Sequence, residues 1–266
     1  MARSRARRAG SRELRLALDT GVGSAGGAIT GELSGPAGAA TVSLLRVEQS
    51  PSGRFAFTIS SCQVDLGGGA ARFDVEVPGG CPPAVVGRRC RLGYVISAHC
   101  RPSRWTRLRV ELPVALAAGE RSVHEDPGRV DRVIPSQSAR RFRLELVEAL
   151  LEGSGHIIGR VHWETEPPEG GFSVTVACEE AWCTNFRFRS RRSPLLWKTE
   201  QLWAATCTTT ADPDRRWSPF RVEIPASAPQ AVEGRAIAWR YTVEAAAAAH
   251  RAFADWAVVT PLRFEV

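Results

Sequence analysis

The chain has a single lysine (Lys198), a single methionine and only two tyrosines in 266 residues. Its cationic charge is therefore almost all arginine, a skew that fits a GC-rich coding sequence better than a function. No apolar run approaches the ~18 residues that a membrane-spanning helix needs. No export signal opens the chain either. LRLALDTGVG carries Arg15 and Asp19 where a signal peptide needs an unbroken apolar core, so the expected location is cytoplasmic. Cysteine pairs at CxxC spacing are missing. The seven cysteines, Cys62, Cys81, Cys90, Cys100, Cys178, Cys183 and Cys207, form an odd set. That weighs against a simple disulfide scaffold and a zinc knuckle, and makes small core residues the expectation.

Catalytic signatures are missing too. There is no nucleophile elbow, Walker loop, HExxH or carboxylate cluster. His156 and His162 share a face of one predicted strand but stand roughly 20 Å apart. His99 and Cys100 are neighbours in a strand and so point to opposite faces. No enzyme activity, cofactor or metal site is expected. What is present is an ordinary globular balance, 44% apolar and 24% charged, which excludes disorder for most of the chain.

Alternation with period two dominates. Phe142, Leu144 and Leu146 alternate with Arg143 and Glu145, Val110 and Leu112 with Arg109 and Glu111, Phe186 and Phe188 with Arg187 and Arg189. Such segments, punctuated by 24 glycines and 17 prolines, predict short strands packed as β-sandwiches. The alanine run from Ala245 is read as a strand entering a hairpin loop despite its helix propensity.

The sequence also repeats itself. With a shift of 147, eleven of the 26 positions from Phe73 to Ala98 are identical, among them Phe73/Phe220, Pro78/Pro225, Pro82/Pro229, Gly87/Gly234 and Tyr94/Tyr241. The openings agree as well: Leu16/Leu144, Gly27/Gly155, Ile29/Ile157 and Gly31/Gly159, followed by TVSLL at Thr41 against SVTVA at Ser173. Two tandem copies of one all-β sandwich are predicted. They span 13–118 and 140–266, with a basic disordered tail over 1–12 and a linker over 119–139. Within each copy, Gly87 and Gly234 are expected at tight bends. Tyr94 and Tyr241 are expected to tie a strand to a loop through their hydroxyls.

These motifs resemble the arrestin-like family. The resemblance rests on the opening turns GGAITG (Gly26–Gly31) and SGHIIG (Ser154–Gly159). It rests also on the blocks FDVEVP…PPAVVG…YVI and FRVEIP…APQAVEG…YTV, and on the endings ELPVAL and TPLRFEV. It implies two immunoglobulin-like sandwiches forming a non-catalytic adaptor or scaffold that grips protein partners, such as membrane-protein tails or acidic or phosphorylated segments. Peripheral membrane contact fits the same picture. No PPxY motif and no long tail after the last strand are seen, so a minimal, constitutive, bacterial-type member is the expected form.

Charge supplies the site candidates. The net +7 lies within residues 1–135, with Arg3, Arg5, Arg7 and Arg8 in the opening decapeptide. A solvated tail is the simpler reading of that decapeptide. The alternative function is an anionic-lipid or nucleic-acid binder using the tail and the arginine-rich strand faces. Arg187, Arg189 and Arg191 are expected on one strand face, and Arg101, Arg104, Arg107 and Arg109 cluster after the Tyr94 strand. Guanidinium rows suit phosphate or carboxylate recognition because they bond bidentately. The chief partner expected is a protein, with nucleic acid disfavoured.

Overall fold

The structure, a computed structural model, describes residues 13–67, 69–103, 106–117, 129–135, 142–150, 155–163, 170–188, 194–212, 214–247 and 257–262. It is all-β: among the described residues the only helical piece is one 3-10 turn. The first half contains β1 (Arg15–Leu18), β2 (Val22–Ser24), β3 (Ala28–Ser34), β4 (Ala39–Ser50), β5 (Gly53–Asp65), β6 (Ala70–Glu76), β7 (Val85–Val86), β8 (Arg91–Ser103) and β9 (Thr106–Ala117). One sheet runs β1-β3-β6 and the other β2-β9-β8-β4-β5, with β7 added to β8. Alternation builds both. Ile29, Leu33, Phe73 and Val75 from one sheet meet Val42, Leu44, Tyr94 and Ile96 from the other in a shared core. Burying each such side chain contributes ~1.5–3 kcal/mol.

The second half repeats the plan. It holds β10 (Arg129–Pro135), β11 (Phe142–Leu150), β12 (Gly155–Trp163), β13 (Phe172–Cys183), β14 (Trp197–Thr209), β15 (Trp217–Ile224), β16 (Val232–Glu233), β17 (Ile237–Ala247) and β18 (Ala257–Leu262). The sheets are β10-β11-β12-β15 and β14-β13-β17-β16, with β18 also on β17. Strand β10 lies within the stretch expected as linker and pairs with β11. The alanine-rich segment is strand as far as Ala247, where a buried face (Tyr241, Val243, Ala245) overrides alanine's helical preference.

Repeated residues do repeated work. The Tyr94 hydroxyl donates to the Pro82 carbonyl at 2.6 Å, and the Tyr241 hydroxyl to the Pro229 carbonyl at 2.6 Å. Each tyrosine thus anchors the loop that precedes its strand.

The two halves are joined by a reciprocal exchange. Glu48, fully buried on β4, accepts hydrogen bonds from the backbone N–H groups of Arg235 (3.1 Å), Ala236 (2.6 Å) and Ile237 (3.2 Å) in the other half. Glu180, fully buried on β13, accepts from the N–H groups of Arg89 and Cys90, each at 2.9 Å, in the first half. Extending the Thr41/Ser173 alignment by seven residues sets Glu48 opposite Glu180, and the shift of 147 sets the turn 88–90 opposite 235–237. The contacts are therefore related by a pseudo-two-fold. Buried carboxylates persist only with such compensation. Arg46 adds a guanidinium 2.9 Å from Glu48.

Apolar surface crosses the junction as well. Trp182, Val232, Ile237 and Trp239 from the second half belong to the first half's core. Phe186 meets Phe55 and Phe57 edge-on at 4.9 and 5.6 Å.

Candidate functional site

Curvature of the sheet carrying β5, β4, β8 and β9 creates a trough on its outer face. In β8 the inward set is Leu92, Tyr94, Ile96, Ala98 and Cys100, so Ser97, His99 and Arg101 face outward. Cross-strand pairing then fixes their company: Ser43 of β4 lies opposite Ser97, Arg109 of β9 opposite His99, and Glu111 opposite Ser97. A cavity of about 550 Å³ lies over this face, with Ser43, Leu45 and Ser97 as floor and Ala56 and Thr58 along the β5 side. The floor residues are nearly buried although they belong to the sheet's outer surface, at 8%, 7% and 5% exposure. The depth of the trough is what shields them.

One end is bridged. Arg54 of β5 reaches Glu111 of β9 at 3.3 Å, across the two strands that separate them. Only a strongly curved sheet brings such distant strands within side-chain reach. Glu111 also pairs with Arg109, whose Nε donates to the Ser97 hydroxyl at 3.2 Å.

The other end carries His99, Arg101 and Arg107. Most charged arginines nearby are neutralised: Arg46 by Glu48, Arg54 and Arg109 by Glu111, Arg88 and Arg89 by Glu200. Among the described residues, Arg101 and Arg107 have no carboxylate within ion-pair distance. This end therefore offers donors in fork geometry and uncompensated positive charge, over a floor of hydroxyls and short apolar groups. Such a set is chemically suited to anions. It contains no nucleophile paired with a base, and no cluster of three metal-ligating side chains occurs among the described residues.

The remaining sequence candidates fall elsewhere. Arg104 lies outside the described residues, as do Arg189 and Arg191. The predicted strand through Phe186 and Phe188 is a 3-10 turn, Phe186–Phe188. Phe186 is drawn onto Phe55 and Phe57 of the other half, and Arg187 is exposed. Arg187 therefore stands on no strand face. The tail with Arg3, Arg5, Arg7 and Arg8 also lies outside the described residues. No helix among the described residues is long and apolar enough to cross a membrane.

His162 does find a partner, Glu145 at 2.6 Å, with Arg160 at 3.6 Å from the same carboxylate, on the outer face of the β11–β12 pair. His156 faces the same way six residues earlier, so the two imidazoles do not converge. Sequence reading missed Ser43, Ser97, Arg54 and Glu111. Their period-two parity in the strands was the available signal; the curvature that brings Arg54 to Glu111 leaves no mark in sequence.

No family model matches this chain, and no curated protein matches it either.

Proposed function

We propose that this protein is a non-catalytic, arrestin-like adaptor that binds an acidic or phosphorylated segment of a protein partner in the trough of its first sandwich. The observation that carries this reading is the pair of arginines at the trough's open end, Arg101 and Arg107, that have no carboxylate partner among the described residues. The internal repeat acts as a control on it. Positions that build the fold match between halves, yet Ser97, His99 and Arg101 correspond under the 147 shift to Glu244, Ala246 and Ala248. By register, the His99–Arg109 pair corresponds to Ala246–Ala257. The same architecture forms without the cations, so their presence in one copy supports a binding role. The rigid junction, with both buried carboxylates satisfied, supports a scaffold that presents the trough in a fixed setting.

The test is fluorescence anisotropy with a labelled peptide of alternating glutamate and phosphoserine, against a neutral peptide of equal length. The double variant R101E/R107E is expected to weaken binding by at least about tenfold, equivalent to ~1.4 kcal/mol. Its melting temperature should match that of the parent chain, since neither arginine is ion-paired among the described residues. Equal affinity in parent and variant overturns the assignment of the trough.

A further inference from the structure

We propose that the reciprocal carboxylate–turn junction also forms between two copies of this chain, giving a closed dimer in which the halves are exchanged. The junction has two equivalent contacts, Glu48 on the 235–237 turn and Glu180 on the 89–90 turn. Each needs one first half and one second half, but neither needs them in the same chain. The first half of one copy and the second half of another restore both carboxylate contacts. They also restore the Phe186 packing on Phe55 and Phe57 and the burial of Trp239 and Ile237. The remaining two halves do the same. The exchanged assembly is closed, with no junction surface left over, the condition under which swapping yields dimers and not fibres.

Two further observations favour this partner. Parting the halves bares two buried carboxylates together with Trp182, Val232, Ile237 and Trp239, so a half without a counterpart is a poor end state. Only one covalent connection runs between the halves, from Ala117 at the end of β9 to Arg129 at the start of β10. Fully extended, those residues span at most about 40 Å. Connection length thus decides between a junction closed within one chain and one closed between two. A connection of this length corresponds to effective concentrations of order mM, which keeps the closed monomer dominant at ordinary protein concentration. Short hinge connections favour exchange between chains.

The experiment co-refolds full-length chains carrying either a donor or an acceptor fluorophore, by dilution from guanidinium at low and at high protein concentration. Light scattering on a sizing column reads the mass. A second chain lacking residues 119–124 is treated alike. The full chain is expected to give an energy-transfer-positive dimer whose share rises with refolding concentration and persists on dilution. The shortened chain should give a dimer share at least about fivefold higher. Labelled monomers mixed without unfolding should show no transfer, because exchange requires the junction to open. Three results overturn the proposal: monomer alone from the full chain at both concentrations, a folded shortened chain that remains monomeric, or energy transfer appearing at once on mixing native chains. If the shortened chain fails to fold, the concentration series on the full chain still decides.

Discussion

Cysteine ionisation is suppressed where the residue is enclosed. Burial, reinforced by the Glu180 carboxylate, pushes the Cys90 thiol up to about 12. Burial likewise pushes the Cys178 thiol up to about 12, partly opposed by the Tyr241 hydroxyl bonding to its sulfur. The ordinary value is 9.0, so the folded state holds these protons more tightly than the unfolded chain. Their contribution to stability is complete below about pH 9 and is lost as pH climbs towards 12. Melting temperature should therefore be flat through neutrality and fall above pH 9. At pH 8, iodoacetamide should label the half-buried Cys62, Cys81 and Cys207 ahead of Cys90 and Cys178, read by peptide mass mapping. All seven should react in guanidinium. Labelling of Cys90 as fast as Cys81 in the native protein would contradict the burial assigned here. The tyrosines were legible at this scale because only two exist, both fall at one repeat position, and a buried phenol needs a partner. Glu48 and Glu180 were not, since an acidic residue at an inward position reads as a solvated one until the opposing turn is known.

The turns after β7 and β16 show how a correct element can have an unforeseen cause. Sequence reasoning places Gly87 and Gly234 at bends for conformational freedom, yet neither has a positive φ. Glycine is required because the junction is tight, through the other half at Gly87 and through both the other half and its own turn at Gly234. A Cβ on Gly87 would land on the Glu180 carboxylate, and one on Gly234 would stand 2.9 Å from Glu48 Oε1 and 2.5 Å from the Ile237 carbonyl. Gly93, in β8, has nothing within 4 Å of its Cβ position. G87A is thus expected to cost ~1–3 kcal/mol through overpacking of the junction, while G93A leaves stability unchanged, both read by urea denaturation. Equal midpoints for the two would remove the junction from the account. The 3-10 turn at Phe186 teaches the converse. Alternation over three residues fits a strand, but the partner surface for Phe186 sits in the other half, beyond the reach of local pattern.

At the scale of the molecule, the shared core and the reciprocal carboxylates make the halves one cooperative unit. E48A leaves three backbone N–H groups and the Arg46 guanidinium without their acceptor, a loss of about 3–5 kcal/mol for a broken buried pair. Calorimetry should show a single transition in the parent chain, and still a single one in E48A, displaced downward by roughly 6–20 °C. Two separated transitions would mean the halves fold independently. The all-β character and the repeated strand order were legible because the repeat survives at positions that face the core. The trough was legible only as a run of arginines, since the pairing that silences Arg109 and leaves Arg101 and Arg107 unsatisfied depends on which strands lie side by side.

The pseudo-two-fold has a consequence for ancestry. A half whose surface already fits its own twin gains a finished junction the moment its gene is doubled, with no new contact to invent. The copies are now unequal: one carries alanines where the other displays arginines. An inherited handshake of this kind lets one copy specialise while the other holds it in place.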